Sequence, residues 1–134
     1  MISKELSATL GFAVREAKKR RHEYVCIEHV LYAILHDSSG VEIIENCGGS
    51  VDRLKTELEN YLADRIDSIP EDDEFVLQQT IGFQRMIQRA VTHVRSAEKA
   101  EVTVGDILAS MFQEKDSHAV YFLQTEGITR LDVL

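Results

Sequence analysis

Apolar residues recur along this chain at the three- and four-residue steps of a helix, each set marking one buried face. Leu6, Leu10, Ala13, Val14 and Ala17 predict a first helix from near Ser3 to about Arg21. Ile27, Val30, Leu31, Ile34 and Leu35 predict a second from Ile27 to His36. A third, from Ser39 to about Cys47, presents Ile43 and Ile44 and stops at Gly48 and Gly49, where a left-handed C-cap is accessible. A fourth opens at Ser50, a good N-cap residue, and carries Val51, Leu54, Leu58 and Leu62. The pattern then breaks over 66–79, which holds the lone Pro70 and the acidic run Glu71, Asp72, Asp73 and Glu74.

After the break the pattern returns. At an offset of 77 residues, as from Leu31 to Leu108, the first face maps onto Phe83, Ile87, Ala90, Val91 and Val94. The second maps onto Val104, Ile107, Leu108, Met111 and Phe112. Ile43, Ile44, Val51 and Leu54 map onto Val120, Tyr121, Ile128 and Leu131, and Arg53 onto Arg130, with no gap. Both second helices begin at equivalent places. Thr103 with Asp106 makes a capping box, whereas Cys26 is a weak cap in the first copy. The reading is an all-α chain of eight helices, a tandem pseudo-symmetric duplication of a four-helix unit. Repeat one covers about 1–65, an acidic linker about 66–79, and repeat two about 80–134, as a single domain. The last helix is barely begun at Leu134, as in a piece of a longer protein.

Composition adds limits. Of 134 residues, 44% are hydrophobic and 28% charged, an ordinary globular balance. Fifteen basic residues against 23 acidic ones give a formal net charge of −8, which disfavours nucleic acid. Lys18, Lys19, Arg20 and Arg21 form a basic run, read as cations complementing a helix C-terminus. No apolar run approaches a membrane span, and Met1 to Leu10 lacks the pattern of a secretory leader. Cys26 and Cys47 form no CxxC, so a reduced, cytoplasmic chain is expected.

Catalytic motifs are missing. There is no GxxxxGK[ST], GxSxG or HExxH. His22, Glu23, Cys26, Glu28 and His29 crowd eight positions, but without the regular spacing of a tetrahedral site, so no metal is expected. Cys47 has no base nearby in sequence and reads as a buried or half-buried thiol. The residues describe a duplicated helical binding module without a visible catalytic group or cofactor.

Two stretches carry a family resemblance. Arg21 to Leu35 (RHEYVCIEHVLYAIL), with its Glu-His pair and Leu-rich helix, resembles the first helix junction of the N-terminal repeats of Clp ATPases. Phe83 to Ala90 (FQRMIQRA) resembles the start of the second repeat in the ClpA, ClpB and ClpC groups. Arg21, His22 and Glu23, the ending Arg130 to Val133, and the acidic loop favour ClpA. The family usually has Thr where this chain has Cys26. The resemblance implies an N-domain joined by a flexible linker to two ATPase modules in a hexameric, ATP-dependent unfoldase that feeds the ClpP peptidase. It implies docking of the adaptor ClpS, which delivers substrates with destabilising N-terminal residues, and no hydrolysis by this segment. It places adaptor docking on Glu23, Glu28, Thr80 and Arg85, with the two glutamates flanking a short turn, held yet exposed. The alternative is direct, chaperone-like binding of unfolded protein segments in an apolar groove between the repeats, as in ClpB or ClpC N-domains. The isolated domain is expected to be a monomer.

Overall fold

The computed structural model describes residues 1–133; Leu134 lies outside the described residues. Among them are eight helices: α1 (Lys4–Lys19), α2 (Ile27–Ile34), α3 (Ser38–Asn46), α4 (Val51–Asp64), α5 (Ile81–Ser96), α6 (Val104–Met111), α7 (His118–Thr125) and α8 (Arg130–Val133). Each of the first seven except α2 starts where a Ser, Thr or Asp side chain accepts a backbone N–H of the first turn. α2 and α6 lie at the centre, and every residue of α2 is buried. Leu31 and Leu108 are both fully enclosed, in equivalent positions. α3 packs on α6 and α7 on α2, so each repeat covers the other's central helix.

The offset of 77 holds through the first two helices of each repeat and extends to the backbone. Arg21 and Glu98, the two non-glycine residues with positive φ among the described residues (57° and 56°), close α1 and α5 at equivalent positions. The offset then fails. Tyr121 and Leu131, expected to match buried Ile44 and Leu54, are 59% and 81% exposed. The connection between α6 and α7 is longer than that between α2 and α3, and the offset beyond it becomes 79. Ile44 then matches Leu123, both fully buried, and Gly48 matches Gly127, with φ of 84° and 76°. Both glycines sit just past a helix end, where a side chain would be strained. Arg53 and Arg130 are therefore not counterparts; Arg130 stands where the first repeat has Val51.

Two short ladders join the repeats. β1 (Tyr24–Val25) pairs in parallel with β2 (Gln78–Gln79), just before α5. The Thr80 N–H donates to the Val25 carbonyl (3.2 Å), and the Ser3 N–H donates to the Val102 carbonyl (3.0 Å). Ile2 bridges Val102 in the same way. The lead-in to each repeat's first helix thus pairs with the turn of the other repeat.

The acidic segment is fastened rather than loose. The Arg21 guanidinium donates to the carbonyls of Ile69, Pro70 and Asp73 and lies 5.1 Å over the Phe75 ring. Arg20 pairs with Glu16 at 2.7 Å and lies over Tyr32. The reading of the basic run as helix-end charge holds for Lys18 and Lys19, which lie in the last turn of α1. Arg20 and Arg21 have specific partners instead.

Candidate functional site

The turn entering α2 and the start of α5 meet through the first ladder, which brings three of the four expected docking residues onto one face. Glu23 is exposed, and its carbonyl accepts from the Gln78 N–H at 2.9 Å. Thr80 is half-buried because its hydroxyl caps α5 by accepting from the Phe83 N–H. Arg85, one turn on, is exposed and forks onto Glu114 at 2.7 and 3.1 Å. Arg89 reaches the same carboxylate at 3.2 Å. Hydrogen bonding from Arg85, its largest influence, holds the Glu114 carboxyl below the usual carboxylate range. Glu114 belongs to the lengthened α6–α7 connection, and no sequence pattern marked it.

Glu28 is different. It was expected as an exposed carboxylate on the polar side of α2, but it is only 6% exposed. Its Oε2 accepts from the Ala119 N–H at 3.1 Å, in the first turn of α7. A carboxylate there satisfies one of the free N–H groups of that helix and meets the positive end of its dipole. Glu28 therefore holds the second repeat against α2. The next element over explains why: α7 covers the side of α2 that periodicity within one repeat leaves open.

Exposed apolar side chains gather around Glu23 and Thr80. Tyr24, Val76 and Ile81 are 44%, 80% and 69% exposed, carried by β1, by the approach to β2, and by the first position of α5. Exposed aromatic and aliphatic groups ringed by polar ones mark contact surfaces.

Behind this face lies a buried chain of rings. The Cys26 N–H donates to His29 Nδ1 at 3.0 Å, so the neutral ring carries its proton on Nε2. That Nε2 donates to His22 Nδ1 at 2.8 Å, and His22 in turn bonds the Leu62 backbone. Cys26 was expected to leave α2 poorly capped; His29 supplies only the reciprocal half of a capping box, its Nδ1 taking the Cys26 N–H as Asp106 takes that of Thr103. At the same positions of repeat two, Lys99 pairs with Asp106 at 2.6 Å, and Asp106 accepts from the Thr103 N–H. Burial, then His22, lowers the His29 pKa to about 3, and burial lowers that of His22. Burial pushes the Cys26 thiol up. No group of three or more metal-binding side chains is assembled among the described residues.

A second surface feature lies between α1 and α5. This groove of about 780 Å³ is lined by Leu10, Val14, Phe83, Ile87 and Val91, with Arg15 and Arg95 in its walls. No helix among the described residues is long and apolar enough to cross a membrane.

Comparison with known proteins follows this architecture. Residues 1–126 match the family described as Clp repeat (R) N-terminal domain. A ClpA homolog protein of Fuscovulum blasticum is 34% identical over 98% of this chain, which spans only 17% of that protein. The Hsp104 N-terminal domain from Candida albicans superposes with a TM-score of 0.84 at 11% identity, covering 98% of this chain and 85% of that one. The ClpV N-domain in its complex with a VipB peptide superposes at 0.76 and 18% identity, covering 98% and 81%. The matched region is the N-terminal domain of such proteins, not their ATPase module. The eight helices, the twofold repeat and these matches agree: the chain belongs to the Clp repeat N-terminal domain family.

Proposed function

We propose that this domain recruits protein cargo for an ATP-dependent unfoldase of the ClpA type, and that it docks a ClpS-like adaptor on the face carrying Glu23, Thr80 and Arg85. The observation that carries this reading is the cluster of exposed Tyr24, Val76 and Ile81 beside Glu23 and Thr80, on backbone fixed by the inter-repeat ladder. Rigid presentation reduces the ordering cost of association, while the charges set orientation and on-rate. Glu28 contributes by holding α7 in place rather than by touching the adaptor. Titration with ClpS tests the reading. Glu23→Arg with Tyr24→Ala should weaken binding at least tenfold, equivalent to about 1.4 kcal/mol, with an unchanged melt. Equal affinity would remove this face from docking. In the whole protein, ATPase rings would supply hexamer formation and delivery to a ClpP-type peptidase, in the cytoplasm. The isolated domain is then a monomer that hydrolyses no ATP, which ultracentrifugation and a turnover assay check.

The apolar groove between α1 and α5 favours a second reading, direct binding of an extended segment of unfolded protein. The ClpV N-domain complex holds a VipB peptide, a precedent for peptide capture within the family. Ile87→Asp should abolish capture of a fluorescent unfolded peptide while sparing ClpS binding; loss of both would point to a folding defect.

A further inference from the structure

The repeats differ in what fills the outer groove between their first and second helices. In repeat one, aromatic rings plug it. Phe12 stacks on His36 with centroids 4.7 Å apart, and Tyr32 meets His36 edge-on at 4.7 Å. At the offset of 77, Phe12, Tyr32 and His36 become Arg89, Ala109 and Gln113. Tyr to Ala removes the plug. What remains is a pocket of about 110 Å³ between α5, α6 and α8, lined by Arg89, His93, Asp106, Ser110, Gln113 and Arg130.

The acids near this pocket are already engaged. Asp106 takes Lys99 and Thr103, and Glu114 takes Arg85 and Arg89. Arg130 makes no ion pair among the described residues. Among the lining residues Arg89 and Arg130 face one carboxylate, Asp106, which Lys99 already pairs, so the lining is positive on a chain of net charge −8. The Ser110 hydroxyl gives its proton to the Met86 carbonyl at 2.7 Å. The donors left in the lining are therefore those of Arg130, the N–H groups of Arg89 beyond its bond to Glu114, the His93 ring and the Gln113 amide. At roughly 30 Å³ of liquid volume per water, the pocket has room for a few waters or one small polyatomic group. Guanidinium forks match the spacing of carboxylate and phosphate oxygens.

We propose that this pocket binds a single small oxyanion, a phosphate or carboxylate group, between Arg89 and Arg130. It lies around α5 from the apolar groove. The ¹⁵N-labelled chain titrated with sodium phosphate, and separately with sodium acetate, against sodium chloride at matched ionic strength tests this by NMR. Saturable shifts are expected at the amides of Ala90, Ala109, Ser110 and Gln113, beyond those caused by chloride. Arg130→Gln should weaken binding about tenfold. Ala109→Tyr, which restores the aromatic of repeat one, should abolish it while the remaining spectrum stays dispersed. Saturation by phosphate alone assigns a tetrahedral oxyanion, and saturation by acetate assigns a carboxylate. No saturation beyond chloride, or equal affinity in Arg130→Gln, overturns the proposal.

Discussion

Glu28 shows how much one side chain's meaning depends on an element distant in sequence. Its place after Ile27 reads as polar and exposed, because the covering helix comes from the other repeat. Glu28→Gln keeps an oxygen for the Ala119 N–H and should stay folded within about 1 kcal/mol of wild type. Glu28→Lys buries an unpaired cation at the positive end of α7 and should cost about 3 kcal/mol or more, seen as an earlier urea midpoint. Equal midpoints for the two variants would mean that the contact with Ala119 carries no weight. The histidine pair is a second case, legible as a cluster but not as a relay. Each ring gives one proton and takes one, so a further proton sets N–H against N–H. Above about pH 6.5 folded and unfolded chains both hold neutral rings. As pH falls from there toward 3, the unfolded chain binds protons that the buried His29 refuses, and stability falls. The slope reaches about 1.4 kcal/mol per pH unit for each such proton. Urea melts at pH 7 and pH 5 check this against His22→Lys with His29→Asp, which imports the pair found at Lys99 and Asp106. An equal loss in both proteins would place the sensitivity elsewhere.

Among the elements, helix faces were legible where a helix packs on one side: Leu6, Ala13, Ala17, Phe83, Ala90 and Val94 are buried as the spacing predicts, whereas Leu10, Val14, Ile87 and Val91 line the open groove and α2 is buried all round. The change of offset after α6 was not legible. Val120 and Tyr121 are apolar in either register, so pattern matching had nothing to reject; the exposure of Tyr121 and Leu131 and the positive φ shared by Gly48 and Gly127 reveal the shift. The acidic stretch was read as a linker because composition carries no information about carbonyl acceptors. Its fastening depends on Arg21 holding a left-handed backbone, a conformation that costs an ordinary residue about 1 kcal/mol. Arg21→Ala keeps that cost and loses the clamp. Hydrogen exchange should accelerate over residues 68–79 while α2 and α6 keep their protection, and adaptor affinity should drop because β2 is approached through this segment. Unchanged exchange would show that the guanidinium contacts contribute nothing to order there.

For the molecule as a whole, duplication was visible in the chain, but reciprocity was not. Strand lead-ins of two residues have no periodicity to detect, and their partners lie in the other repeat, far along the sequence. Residues 1–65 alone should lack a cooperative melt, since α2 loses its cover from α5, α6 and α7, and a chain of that length has little core to spare. Adding residues 66–134 in trans should restore the transition; a cooperative melt by the first half alone would contradict the interlocked arrangement. The crossed lead-ins also bear on synthesis. A ribosome adds roughly 5–20 residues per second. The turn at Val25 must therefore wait seconds in the cell for Thr80, its partner, to emerge. Ser3, made first, waits longer still for Val102. Neither repeat can close while the other is unwritten, so the nascent chain has no finished halfway state and completes both repeats together.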